Sequence, residues 1–98
     1  MQTIIKKGEW KYSGNTYLPI LLVEQDWDRF YEQGYRHVLS HINKKGLEYY
    51  LHFGRYFINE SGYISSDSSS KPFLSIEEAM DFAQRNIEIL NWIPEENN

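Results

Sequence analysis

Apolar positions fall into two periods along this chain. As far as Tyr63, Gln25–Gly34 excepted, they recur at every second residue or in short unbroken runs; from Ile76 they recur every three to four. Alternation puts side chains on opposite faces of a strand, whereas the longer period lines one side of a helix. Thr3–Lys6 therefore predicts a short strand, broken at Lys7-Gly8. Glu9–Tyr12 predicts a half-buried strand with Trp10 and Tyr12 inward, and Ser13-Gly14-Asn15 a turn. Thr16–Gln25 returns as a strand whose run Ile20-Leu21-Leu22-Val23 predicts burial on both faces. Pro19 has no N–H for a ladder, so the start of that strand belongs at an edge or a bulge.

Tyr35–Ile58 holds all three histidines and the clearest hairpin signal. Two strand-like runs, Tyr35–Ile42 and Leu47–Ile58, flank Asn43-Lys44-Lys45-Gly46, whose Asn and Gly tolerate positive φ. With Ile42 opposite Leu47, one face collects Val38, Ile42, Leu47, Leu51, Phe53 and Tyr49. The other collects His37, Leu39, His41, Glu48, Tyr50 and His52, a mixed surface open to a partner. Asn59–Gly62 predicts a turn and Tyr63–Ser65 a brief strand. The Ser-rich piece at 65–71 predicts an exposed, mobile loop.

Two segments predict helix. Gln25–Gly34 carries Asp26 as a cap, Gly34 as a stop and Trp27, Phe30 and Tyr31 at helical spacing, which favours a helical turn at 27–33. A strand there would line up Glu24, Asp26 and Asp28, a row of like charges. The C-terminal signal is stronger. Ser75 and Glu78 form a capping box, Glu77, Glu78 and Asp81 suit the helix dipole, and Asp81 and Arg85 make an i,i+4 pair. Ile76, Ala79, Met80, Ala83, Ile87 and Leu90 form the apolar stripe, and Pro94 marks the end. The sum is an α+β fold in a single domain, residues 1–98. An antiparallel sheet of five or six short strands packs one face against one C-terminal amphipathic helix.

Composition narrows the functional classes. Cysteine is absent, which removes disulfides, thiolate zinc sites and a thiol nucleophile. A net charge of −4 argues against general nucleic-acid binding, which needs a basic footprint. MQTIIKK lacks the apolar core of a leader, and no apolar run approaches the roughly 20 residues of a membrane span. The expectation is a soluble, cytoplasmic chain. Eight tyrosines suit both a strand-rich fold and an interface.

The histidines are the first candidates for chemistry. His37 and His41 share a strand face but stand about 13 Å apart by strand rise, too far for one zinc at about 2 Å from each nitrogen. His37 and His52 face each other in the expected register, with Glu48 near, but spacing supplies no third ligand. Partly exposed sheet histidines are the plainer account. The acidic stretch Glu24, Asp26, Asp28, Glu32 lacks the continuation of a calcium loop, and helix capping plus solvated charge explains it. No serine sits in a nucleophile elbow and no glycine run cradles a phosphate.

The expectation is therefore a small non-enzymatic binding or regulatory protein with no cofactor. It would meet another protein through an acidic, Tyr-rich surface of Asp26, Trp27, Asp28, Tyr31, Tyr50 and Tyr56. Two alternatives stand beside it. One is a metal-dependent enzyme or metal-binding module using His37 and His52 with Glu48. The other is a homo-oligomeric structural protein, such as a homodimer.

Overall fold

Alternation at the start of the chain produces one long strand, β1 (Gln2–Ser13), which turns back at once into β2 (Thr16–Gln25). The computed structural model describes residues 2–26 and 46–94. β3 (Glu48–Ile58) and β4 (Ile64–Ser69) form a second hairpin, followed by helix α1 (Ile76–Asn86) and the short strand β5 (Leu90–Trp92). Among the described residues these strands make one antiparallel sheet in the order β4-β3-β2-β1-β5, with α1 packed on one face. The α+β expectation holds. The helical turn expected at 27–33 and the strand expected at Tyr35–Ile42 lie outside the described residues.

β2 sits between β1 and β3, and its apolar run is buried on both faces as its sequence predicts. Ile20 and Leu22 join the helix-side core with Tyr49, Leu51, Phe73, Ala79 and Ala83. Leu21 and Val23 point the other way and pack with Ile64 and Ile4. Pro19 pairs with Glu9 of β1, but β3 pairs only from Ile20 onward. The residue without an N–H thus sits just outside the three-stranded stretch.

Gly8 does not break β1. The strand runs through it, and its irregularity falls at Ile5, between the pairs Ile4–Val23 and Lys6–Leu22. Gly8 is where β5 crosses: a Cβ there would lie 2.7 Å from the Asn91 carbonyl and 3.0 Å from the Trp92 ring. A strand glycine here marks close approach rather than an end. Trp10 lies half-buried, edge-on to Phe53, but Tyr12, expected inward, is exposed beyond the last β1–β5 pair.

The first half of β3 has both edges occupied. Glu48–Phe53 run in register with Gln25–Ile20 of β2 on one side. On the other, Tyr49 exchanges backbone hydrogen bonds with Phe73 (2.9 and 2.8 Å), and Leu51 accepts from Ser70 N–H and donates to its hydroxyl.

The Ser-rich stretch read as a mobile loop at 65–71 is largely strand. Small polar side chains are poor strand formers, but at a sheet margin only the backbone needs a partner, and β3 supplies it. The pairing slips by one residue between Phe53–Ser68 and Tyr56–Ser66. At that bulge Gly54 takes φ +88°, and Asp67 Oδ2 accepts from Arg55 N–H at 2.8 Å. The far turn is held by Asn59, whose Oδ1 accepts from Ser61 and Tyr63 N–H, both at 2.9 Å.

Ser75 caps α1 as expected, its hydroxyl accepting from Glu78 N–H at 3.0 Å, and Arg85 meets Asp81 at 3.1 Å. Ala79 and Ala83 are the buried contacts, small enough to bring the helix axis close to the sheet. The helix ends at Asn86, earlier than the apolar stripe implied. Ile87 is already extended, and Leu90–Trp92 pair with Gly8–Trp10. The last stripe residue, Leu90, is core by way of a strand.

The bulge gives a sharp test. Gly14, at the β1–β2 turn, also has positive φ (52°), but a Cβ there meets nothing within 4 Å. At Gly54 a Cβ would fall 2.5 Å from Asp67 Oδ2. Gly14→Ala should lower stability by about 1–2 kcal/mol from backbone conformation alone. Gly54→Ala should lose at least about 1 kcal/mol more from the clash. Equal urea midpoints for the two variants would show that Asp67 moves aside freely.

Candidate binding surface

The face of the sheet opposite α1 is built from alternate residues of β1, β2 and β3, and it divides into two halves. In the first half the register sets Gln25 beside Glu48, Val23 beside Tyr50 and Leu21 beside His52. All six are buried: Glu48 is fully inaccessible, Tyr50 is 2% exposed and His52 7%. This corrects the expectation of an open Tyr/His surface. Tyr50 cannot present its ring to a partner in this conformation.

Polar groups in that half are organised as a row across three strands. Gln2 Nε2 donates to Gln25 Oε1 at 3.0 Å, and Gln25 Nε2 donates to Glu48 Oε1. Gln2 Oε1 in turn accepts from Ile64 N–H at 2.7 Å. One side-chain amide of β1 thus reaches the first residue of β4, although β2 and β3 lie between those strands in the sheet. Only a strongly coiled sheet allows that reach.

His52 Nδ1 lies 2.8 Å from Ser66 Oγ, and that hydroxyl lies 2.7 Å from the Ser68 carbonyl. Ser66 has one proton and the carbonyl can only accept, so Ser66 donates to Ser68 and accepts from His52 Nδ1–H. The polarity is the reverse of what a serine nucleophile needs, since its base must accept at that nitrogen. His52 and Ser66 are placed as a structural pair. His37, the other half of the expected metal pair, lies outside the described residues. Among the described residues no three His, Asp or Glu side chains converge on a point where a metal could sit.

On the helix side, Tyr49 donates its hydroxyl to Glu24 Oε2 at 3.1 Å. Burial, then the hydrogen bond to Glu24, then the negative charges of Glu24 and Glu77 push the phenol above its usual value near 10.

The second half of the face is open. Lys7 and Glu9 of β1 stand beside Leu21 and Pro19 of β2, with Tyr17 next along. Together with Tyr56 from β3 and Ile93 beyond β5, they line a shallow groove of about 290 Å³. Tyr17 is 44% exposed, Tyr56 38% and Ile93 58%. Of the six expected contact residues, Tyr56 belongs to this groove. Asp26 is exposed at the end of β2, and Trp27, Asp28 and Tyr31 lie outside the described residues. Tyr17 and Ile93 were missed by sequence reasoning. The alternation Tyr17, Pro19, Leu21 was the available signal for one of them. Ile93 read as helix end.

No described helix is long and apolar enough to cross a membrane. Comparison with family models, curated proteins and solved structures finds no match to this chain.

Two outcomes test these contacts. Gln2→Ala strands the buried Ile64 N–H and should lower stability by about 1–3 kcal/mol, with faster amide exchange at Ile64. An unchanged urea midpoint would mean water replaces the amide without loss. For Tyr49, the folded protein holds its proton above pH 10 while the unfolded chain releases it. Its contribution is complete below about pH 10 and falls as pH rises further. Tyr49→Phe should be less stable than wild type by about 1 kcal/mol at pH 8. That gap should narrow toward pH 11 in denaturation measurements.

Proposed function

We propose that this protein is a small non-enzymatic binding module that meets a protein partner through the open half of its sheet. The observation that carries this is the exposed groove of Tyr17, Pro19, Tyr56 and Ile93 beside a charged row on β1. Two tyrosines within strands offer rigid area with a polar tip, a composition typical of protein contacts. Support against catalysis comes from the His52–Ser66 pair, the described serine–histidine contact, whose proton arrangement opposes nucleophile activation.

The test is a quantitative capture of partners by wild type and by Tyr17→Ser/Tyr56→Ser. Both rings are exposed, so the double variant should fold, with stability within about 1 kcal/mol of wild type. Partners enriched by wild type and lost by the variant support the assignment. Retention of the same partners at the same occupancy removes the groove from consideration.

A further inference from the structure

We infer that the partner of the open groove is a second copy of this chain, paired about a two-fold axis. The inference rests on the groove being a binding surface and adds what binds there. A symmetric contact of this kind uses one patch against itself, so the patch must be complementary to its own image. This one is. Along β1, Lys7 and Glu9 are two residues apart, lie on the same face, and are both exposed. In register beside them on β2 run Leu21 and Pro19, flanked by Tyr17 and Tyr56.

An axis passing between Lys7 and Glu9 sets each ammonium against the partner's Glu9 and each carboxylate against the partner's Lys7. The same operation turns the half-buried Pro19 of each copy toward β2 of the other, where Leu21, being buried, adds no contact area. A patch of uniform charge would repel its image, and a bare apolar strip would not fix the register. Opposite charges at this spacing do both tasks, attraction and alignment. The exposed apolar area is modest beside the roughly 800 Å² each partner contributes to a standard interface. The dimer should accordingly be a weak one, dissociating in the micromolar range or above.

The experiment is light scattering across about 10 μM to about 1 mM protein, for wild type, Lys7→Glu, Glu9→Lys and an equimolar mixture of the two variants. Circular dichroism melting checks that each variant is folded. Wild type should approach twice the monomer mass as concentration rises. Each single variant should dissociate at least tenfold more readily, because both cross-axis pairs become like-charged. Mixing the two restores opposite charges at both pairs, so the mixture should recover wild-type association. Added salt should weaken wild type and mixture alike.

A wild type that stays monomeric throughout overturns the inference. So does a dimer indifferent to both reversals, or a mixture that stays as weak as its components. Tyr17→Ser/Tyr56→Ser separates the two levels. If wild type is monomeric but that variant still loses a different protein partner, only the second copy is wrong. If it changes neither self-association nor partner capture, the groove is not a binding surface.

Discussion

Every backbone group in the middle of β3 has a neighbour to meet, and the rest of the structure is arranged around that requirement. Tyr49 and Leu51 spend both their N–H and C=O groups on Phe73 and Ser70, while the same stretch runs in register with β2. The same strand is also covered on both faces, and Tyr49–His52 are all buried. The chain accordingly brings a serine-rich segment of little intrinsic strand preference alongside it. Backbone satisfaction, rather than side-chain character, decides where β4 lies.

The two faces of that enclosed region have different characters. Toward α1 the contacts are apolar and close, with Ala79 and Ala83 admitting the helix and Phe73 packing on Phe82 at 5.2 Å between ring centres. Away from α1 the buried layer mixes Leu21, Val23 and Ile64 with Gln25, Glu48 and His52. Such a layer is stable only when its polar atoms find partners, and the Gln2–Gln25–Glu48 row supplies several. Past Leu21 the face opens, and its character changes to exposed tyrosine, proline and alternating charge.

Elements carried by strong local signals were legible in the sequence. The Ser75 cap, the buried run at Ile20–Val23 and the turns at Gly14 and Asn59–Gly62 each rest on a few adjacent residues. What misled was tertiary. Gly8 looked like a break because nothing nearby in sequence shows that Trp92 will cross it. Leu90 continued the helical period, yet the free edge of β1 captured it as strand. The Ser-rich stretch gave no strand signal because its partner, not its composition, makes it one. At the candidate surface Tyr56 was picked out and Tyr50 was misplaced. Tyr50 lies within the β2–β3 pairing and is buried, whereas Tyr56 lies beyond its last pair at Phe53 and is exposed, a limit that no local signal marks.

The pairing of Gly8 with Trp92 also has a temporal side. β1 leaves the ribosome well before β5, yet one of its edges pairs with that later strand. Until then, among the described residues, the β1–β2–β3–β4 portion lacks the strand that pairs with Gly8–Trp10 and the helix that packs on its apolar face. Contacts so distant along the chain slow folding, since loop closure must precede the contacts that reward it. Completion of the described sheet therefore waits for β5, and nascent chains that end before it leave Gly8–Trp10 without that partner.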